Sequence, residues 1–484
     1  MLGLAATGLA RCSRPPLEDP SSTTRDRARL DVDSGREDAG VTQERRVDVV
    51  VVGAGVAGLR AAEVLVRAGV SVLVVEARDR LGGRVHSARA LGTTIELGAD
   101  WLFDTGFHPL AARARAWGID VRPSDGSYRL LTRDGRHVST TRERRWREAL
   151  VEHIQRGRAA GAEGADRSVG ELVRELVARR TEREADREGI AWAATAEIER
   201  RYGASIDELS LLHFDDAPAP RGVDGRVLDG LSRLIDRLAS GIEVERSFAV
   251  ARIEHGPQGV RIEGSRGAVR AKAAVVTVPV GVLSSGAVTF APGLPDGKRA
   301  ALSRLKSGAV AKVFAKFPSA FWEPREEWIG RVLPLDERGR WVELVDLARY
   351  GGAPILCAVL RGPNAIEVER MAERAAQGEL ERVVRALFPG VYVAPEAIAR
   401  TSWSTDLYAL GTHSCLGPGA TLADRDALAA PVGSALFFAG EATDRAHAAS
   451  LRGAYASGER AAGEVLSALG LVGDAGAQSA ASTS

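Results

Sequence analysis

Three glycines and one acid have the types and spacing to hold a nucleotide. Gly53, Gly55 and Gly58 stand in Gly53-Ala54-Gly55-Val56-Ala57-Gly58, and Glu76 ends the next apolar run. Gly53 permits a tight turn, Gly55 lets the backbone approach a pyrophosphate, and Gly58 lets a helix lie close to a strand. Glu76 is placed to bond a pair of ribose hydroxyls. The elements that must position these residues are legible around them. Val47–Val52 is β-branched and apolar on both faces, as a buried parallel strand requires. Val56–Ala68 reads as a helix whose free N–H groups and dipole point at the phosphates, with Gly69 as its stop. Val70–Val75 reads as the second strand. Strand, helix, strand and acid in order predict a dinucleotide-binding βαβ unit. The unit alone does not distinguish NAD from FAD, and a glycine-rich turn without a ligand is the bland alternative.

The segment from Glu76 onward does distinguish them. Glu76-Ala77-Arg78-Asp79-Arg80-Leu81-Gly82-Gly83-Arg84 continues into a second glycine turn with an arginine. This resembles the FAD-binding signature of the flavin-containing amine oxidases, the family of monoamine oxidases, polyamine oxidases and lysine-specific histone demethylases. The resemblance extends from about residue 45 to about 470, specific at both ends and looser in the helical middle. It implies an α/β fold: a Rossmann-type FAD-binding domain of the amine oxidase kind, with an interleaved α+β substrate-binding domain. The first is expected from 45–106, 226–300 and 395–470, the second from 107–225 and 301–394. The resemblance assigns to the cofactor Gly53, Gly55, Val56, Gly58, Glu76, Ala77, Arg78, Gly83 and Arg84, the last beside the phosphates. It adds the segment Gly98-Ala99-Asp100-Trp101 after a short strand at Thr93–Leu97, Val250 at the adenine, and Trp403. Taken alone, Val250 is an ordinary strand valine. Near the C-terminus, Phe437-Phe438-Ala439-Gly440-Glu441-Ala442-Thr443 is a strand and a turn bearing a carboxylate, and Ser450 and Leu451 begin a helix full of small residues. In the family the matching glutamate contacts FAD and the helix start faces the flavin ring, where its dipole suits charge near N1.

The chemistry is expected around Lys312, in Ser307-Gly308-Ala309-Val310-Ala311-Lys312-Val313-Phe314-Ala315-Lys316-Phe317-Pro318. Period-two alternation puts Val310, Lys312, Phe314 and Lys316 on one face. By spacing, Lys312 is either the exposed lysine of an edge strand or a desolvated functional group. The resemblance implies the active site, with a lysine that binds a water bridging to flavin N5 and assists reoxidation or proton handling. Thr412 stands where monoamine oxidases bond a cysteine to the flavin, so FAD is expected to be noncovalent. His413 and Ser450 occupy the places of the two tyrosines that flank the amine in those enzymes, and Leu407 replaces a usual proline. A lone histidine is by default a packed, bonded residue.

Substrate clues are thinner. Asp104 matches an acidic position of some polyamine oxidases, and Asp215-Asp216 an acidic pair in related sequences. Carboxylates lining a tunnel attract a polycation, whereas solvated carboxylates do nothing of the kind. No arginine follows Trp101 where amino-acid oxidases hold a carboxylate. The expected activity is oxidation of a polyamine or related amine to an imine, with O2 reduced to H2O2. Desaturation of a polyene or porphyrinogen, or oxidation of an amino acid, is the alternative on the same fold.

Composition agrees with one large enzyme. The 484 residues are 45% hydrophobic and 27% charged, with net charge +1. Overall charge gives no reason to expect nucleic acid or membrane as partner. Cys12, Cys357 and Cys415 lie far apart, so neither a disulfide framework nor a metal site is expected. The start, Met1-Leu2-Gly3-Leu4-Ala5-Ala6-Thr7-Gly8-Leu9-Ala10-Arg11-Cys12, resembles an incomplete export signal. Residues 13–44 and 471–484 read as disordered. No apolar run is long enough to span a bilayer, which favours a soluble, cytoplasmic protein while the signal-like start leaves export open. Oligomeric state is not readable.

Overall fold

A computed structural model of the chain describes residues 44–161, 165–178, 183–217, 222–322, 326–334, 337 and 339–471. The expectations for residues 1–44 and 471–484 lie outside them, residues 44 and 471 excepted.

Four successive buried valines, Val49–Val52, centre an eight-stranded sheet. Strand β1 (Arg45–Val52) pairs in parallel with β2 (Val72–Val75) on one side and with Gly267–Val276 on the other. Leu436–Phe438, from the far end of the chain, joins Gly267–Val276 in parallel. A strand covered on both faces must be apolar on both, which is what the run provides. Helix α1 (Val56–Arg67) crosses between β1 and β2. Strand β2 is two residues shorter than expected, because Val70 and Ser71 stay outside the ladder. The C-terminal helix Leu451–Ala468 packs on α1 so closely that a Cβ on Gly458 would lie 2.2 Å from the Ala57 carbonyl.

A second, six-stranded sheet runs in the order Ala397–Arg400, Val310–Lys316, Ile355–Arg361, Glu343–Asp346, Trp328–Arg331, Tyr128–Leu131. Its last pair is parallel and the rest are antiparallel. One of these strands departs from expectation: Ala397–Arg400, in a segment expected to belong to the FAD-binding domain, pairs here rather than with the β1 sheet. Two helices follow the third of these strands, Gly362–Arg370 and Glu373–Leu387. Arg400 ends the first by donating to the carbonyls of Val368 (2.9 Å) and Met371 (2.6 Å). No helix among the described residues is long and apolar enough to cross a membrane.

Candidate active site

A cavity of about 1080 Å3 is walled by both sheets. At one end lies the turn after β1. Gly53 has φ +107°, and a Cβ there would come 2.6 Å from Thr277 Oγ1. Gly55 caps α1 and offers no side chain, so the first N–H groups of the helix keep their capacity for a ligand. Gly83, at φ +58°, lies against Gly55, where a Cβ would stand 3.5 Å from its Cα. Gly58 does not reach the cavity. It is the contact between α1 and β1, with a Cβ position 1.9 Å from the Gly53 carbonyl. Glu76 is buried at the cavity wall, and its carboxylate is aimed by the N–H groups of Ala54 (2.8 Å) and Arg78 (2.9 Å). Val56, Ala77 and Val250 share this wall. Arg78 bonds Asp406 at 2.5 Å and lies 5.4 Å from the Tyr408 ring centre.

The middle of the cavity is fixed by a buried charge cluster. Arg84 donates to Glu441 Oε1 (2.9 Å) and to the Thr412 carbonyl (2.5 Å). Glu441 Oε2 accepts from Ser414 Oγ (2.6 Å) and from the Ala449 N–H (2.8 Å). Ser414 is held in turn by Arg425 (2.7 Å). Burial pushes the Glu441 carboxyl up, but Arg84 and Arg425 outweigh it and hold the group below its ordinary value. Ser450 caps the last helix by accepting from the Gly453 N–H (3.1 Å), which turns Ser450 and Leu451 to the cavity.

Lys312 reaches the cavity from an interior strand. Val310–Lys316 is paired on both sides, which removes the edge-strand alternative. The Lys312 ammonium donates to the carbonyls of Gly98 (2.6 Å) and Glu96 (3.1 Å) and pairs with Asp100 at 3.0 Å. Gly98 must lack a Cβ, since one would stand 2.0 Å from the Arg84 carbonyl. Ala99, Asp100 and Trp101 continue the wall, and Trp403 Nε1 ties it down at the Leu97 carbonyl (2.6 Å). Trp101 stacks on Trp328 at 6.4 Å. His413 faces the cavity beside Thr412 (Nδ1 to Oγ1, 3.1 Å), and burial lowers its pKa to about 4, so it is neutral at pH 7.

The acidic candidates separate. Asp104 lines the cavity, nearly buried, with Oδ2 3.4 Å from Arg452; among the described residues its Oδ1 has no hydrogen-bond partner. Asp215 and Asp216 do not line it. Asp215 pairs with Arg158, and Asp216 bonds His213 at 2.8 Å, so both are committed to local structure. Sequence reasoning missed Asp224, whose Oδ1 accepts the Asp104 N–H (3.0 Å); burial and then the neighbouring Asp104 raise its carboxyl pKa. It also missed Arg200, Trp328 and the Glu343–Arg361 pair (2.6 Å), of which Arg200, Trp328 and Arg361 line the cavity. Strand alternation marks none of these.

A family model for flavin-containing amine oxidoreductases matches residues 56–466. Lysine-specific histone demethylase 1 homolog 2 of Oryza sativa subsp. japonica is 36% identical over 448 residues, 88% of this chain and 58% of that protein. The chain thus spans little more than half the length of that relative. Polyamine oxidase 5 of Oryza sativa subsp. japonica is 31% identical over 432 residues, 85% of this chain and 86% of that protein. Polyamine oxidase 2 of Arabidopsis thaliana is 30% identical over 445 residues, covering 86% of this chain and 88% of that protein.

Proposed function

The chain belongs to the flavin-containing amine oxidoreductases, and from that premise we propose that it binds FAD noncovalently and oxidises an amine of the polyamine class. The observation that carries the proposal is convergence. Glycine turn, ribose acid, second glycine turn, C-terminal carboxylate and Lys312 lie hundreds of residues apart in sequence, yet border one cavity. The site fits a flavin dinucleotide on its own terms. Gly55 and Gly83 leave a floor that side chains would fill, α1 presents N–H groups that no side chain caps, and Glu76 is a buried carboxylate already oriented. Beyond about 1000 Å3, a cavity exceeds what one drug-sized ligand needs and leaves room for a substrate beside the cofactor.

A flavin held here would supply the redox chemistry, a two-electron oxidation of the amine to an imine with O2 as acceptor and H2O2 as its product. The protein supplies position and charge. The phosphate end of the cavity is held by α1 and Glu76, and the flavin end is bordered by Lys312, Thr412, Ser450 and Leu451. Lys312, fixed by Asp100 and two carbonyls, offers a localised positive charge and a proton donor. Asp104 and Asp224 supply carboxylates for a distant ammonium. Thr412 has no thiol and so cannot itself form a thioether to a flavin, which supports the noncovalent mode. The proposal predicts a yellow protein whose FAD is released by acid, is bleached by an amine without oxygen, and yields H2O2 when air is admitted. Flavin retained on the precipitated chain would contradict the noncovalent mode; a flavin that no amine bleaches would contradict the activity.

A further inference from the structure

We infer that Trp101, Trp328, Tyr128, Trp192 and Trp146 form a relay that drains oxidising equivalents from the cavity to the protein surface. Such a relay goes beyond the amine oxidation proposed above and rests on one part of it, that a flavin reduces O2 in this cavity. Trp101 and Trp328 both line the cavity, and their rings stack 6.4 Å apart, tilted by 26°. Trp328 and Tyr128 are register partners on adjacent parallel strands, and the Arg200 guanidinium lies over both rings, at 5.2 and 5.8 Å. Tyr128 meets Trp192 at 5.8 Å, and Trp192 meets Trp146 at 6.4 Å. Trp146 is buried, but Arg142 and Arg145, which share Asp186 with it, are 44% and 63% exposed. Solvent therefore begins one side chain beyond the last ring. Indole and phenol are the rings that yield an electron most readily, and a phenylalanine at any of these places would break the line.

Proton acceptors stand where the line needs them, because a phenol or indole that has lost an electron becomes a strong acid. Tyr128 Oη donates to Glu343 Oε1 at 3.0 Å, and Trp146 Nε1 donates to Asp186 Oδ1 at 2.9 Å. Two glycines clear the space. A Cβ on Gly330 would stand 2.1 Å from Tyr128 Oη, and one on Gly189 would stand 2.1 Å from the Trp146 ring. Guanidiniums cover the rings: Arg200 over Trp328 (5.2 Å), Arg147 over Trp192 (4.8 Å) and Arg142 over Trp146 (5.6 Å). A cation over a ring opposes removal of an electron from it. The line thus stays silent in ordinary turnover and answers only to a stronger oxidant. That oxidant is an oxygen-centred radical, the class left by incomplete reduction of O2. It takes one electron from Trp101 and one proton from solvent. Each ring is refilled from the next, until the deficit reaches Trp146 and its indole proton moves to Asp186. A solvent reductant of the ascorbate class then returns one electron and releases one proton, and Asp186 gives its proton back. In sum, a hydroperoxyl radical and ascorbate become H2O2 and the ascorbyl radical, with the protein unchanged.

The test excites the FAD-loaded protein with blue light, which makes the flavin a one-electron oxidant without any amine. Radicals are followed by transient absorption and electron paramagnetic resonance. Wild type should form a long-lived tryptophanyl radical that ascorbate removes; without ascorbate, mass spectrometry should find Trp146 oxidised. Trp192→Phe keeps a ring in place but ends the line. In it that radical should be lost, ascorbate should have no effect, and oxidation should move to Trp101 and Trp328. Bound FAD and melting temperature identify a misfolded variant, and Trp146→Phe then takes its place. Neither Trp192 nor Trp146 lines the cavity, so both variants should begin amine turnover at the wild-type rate and lose activity sooner. Trp101 also meets Tyr350 edge-on at 6.1 Å. A wild-type radical confined to Tyr350, no protein radical at all, or a Trp192→Phe that matches wild type in radical and oxidation site overturns the inference. Should no amine bleach the flavin, the amine oxidase reading fails while the light experiment still judges the relay. A protein that holds no flavin has no such oxidant to drain, and overturns both.

Discussion

Lys312 illustrates how little a side chain does without its partners. Its ammonium is buried, yet a carboxylate and two carbonyls surround it, so the charge is local and directed rather than lost. Lys312→Met keeps the length and removes charge and proton. FAD should still bind, because Lys312 bonds neither Glu76 nor the Gly53–Gly58 turn; its partners are the Gly98 and Glu96 carbonyls and Asp100. Reoxidation of reduced flavin by oxygen should slow by about 10²-fold, since a positive charge held near a bound flavin would stabilise electron transfer to oxygen. Reduction by amine should fall less, and its rise with pH should persist, because that rise reflects deprotonation of the amine. Lys306→Met and Lys316→Met are controls: Lys306 is exposed, and Lys316 pairs with Glu396 on the protein's flank. Stopped-flow absorbance of the two half-reactions is the measurement. Two unchanged half-reactions would leave Lys312 a structural cation for Asp100.

At the scale of elements, α2 (Pro109–Ala116) gives a pH-dependent marker. His108 caps it, with Nδ1 accepting the Leu110 N–H at 3.1 Å. Burial, with repulsion from Arg452 and His447, lowers the His108 pKa from 6.5 to about 4. The folded state thus binds fewer protons than the unfolded state between those values. Stability should fall as pH drops from 6.5 toward 4 and should owe nothing to His108 above 6.5. His108→Asn keeps the cap acceptor and removes the titration. The variant should match wild type at pH 7 to within about 1 kcal/mol and lose less stability by pH 5, by up to about 1.4 kcal/mol per pH unit. His413 titrates in the same direction, so a residual slope stays. Identical slopes in urea titrations at pH 7 and pH 5 would refute this account. Elements of this kind also explain what the sequence reveals. Val49–Val52 is legible because a strand buried on both faces admits only apolar residues, and Gly53 to Glu76 is legible because close backbone approach admits only glycine. The break between Gly362–Arg370 and Glu373–Leu387 is not legible, because the group that ends the first helix, Arg400, comes from a different strand. Arg200 is hidden for a similar reason. In Glu197-Ile198-Glu199-Arg200-Arg201 it looks like one more solvated charge, and only tertiary packing against Trp328 gives it a direction.

Across the whole molecule, the cavity wall is contributed by segments from Val52 to Ala454, and both sheets take part. No single piece of the chain contains the site. A cofactor that spans it must therefore draw stability from both sheets at once, and the free energy of binding becomes free energy of folding. At a free FAD concentration about a thousand times Kd, this linkage contributes about 4 kcal/mol. Removing FAD should lower the melting temperature by about 5 °C. The loss should not be confined to the β1–α1 turn. Hydrogen exchange should quicken in parallel at Gly53–Val56 and at Gly440–Leu451, because both border the ligand and the second glycine turn links them, Gly82 donating to the Ala54 carbonyl and Arg84 to Glu441. Adding FAD back should restore protection in both segments together. Exchange that quickens at the first glycine turn alone would mean that the C-terminal turn is held by Arg84, Ser414 and Arg425 without help from the ligand. An unchanged melting temperature would mean that the cavity is fully preorganised and that FAD contributes chemistry but no stability.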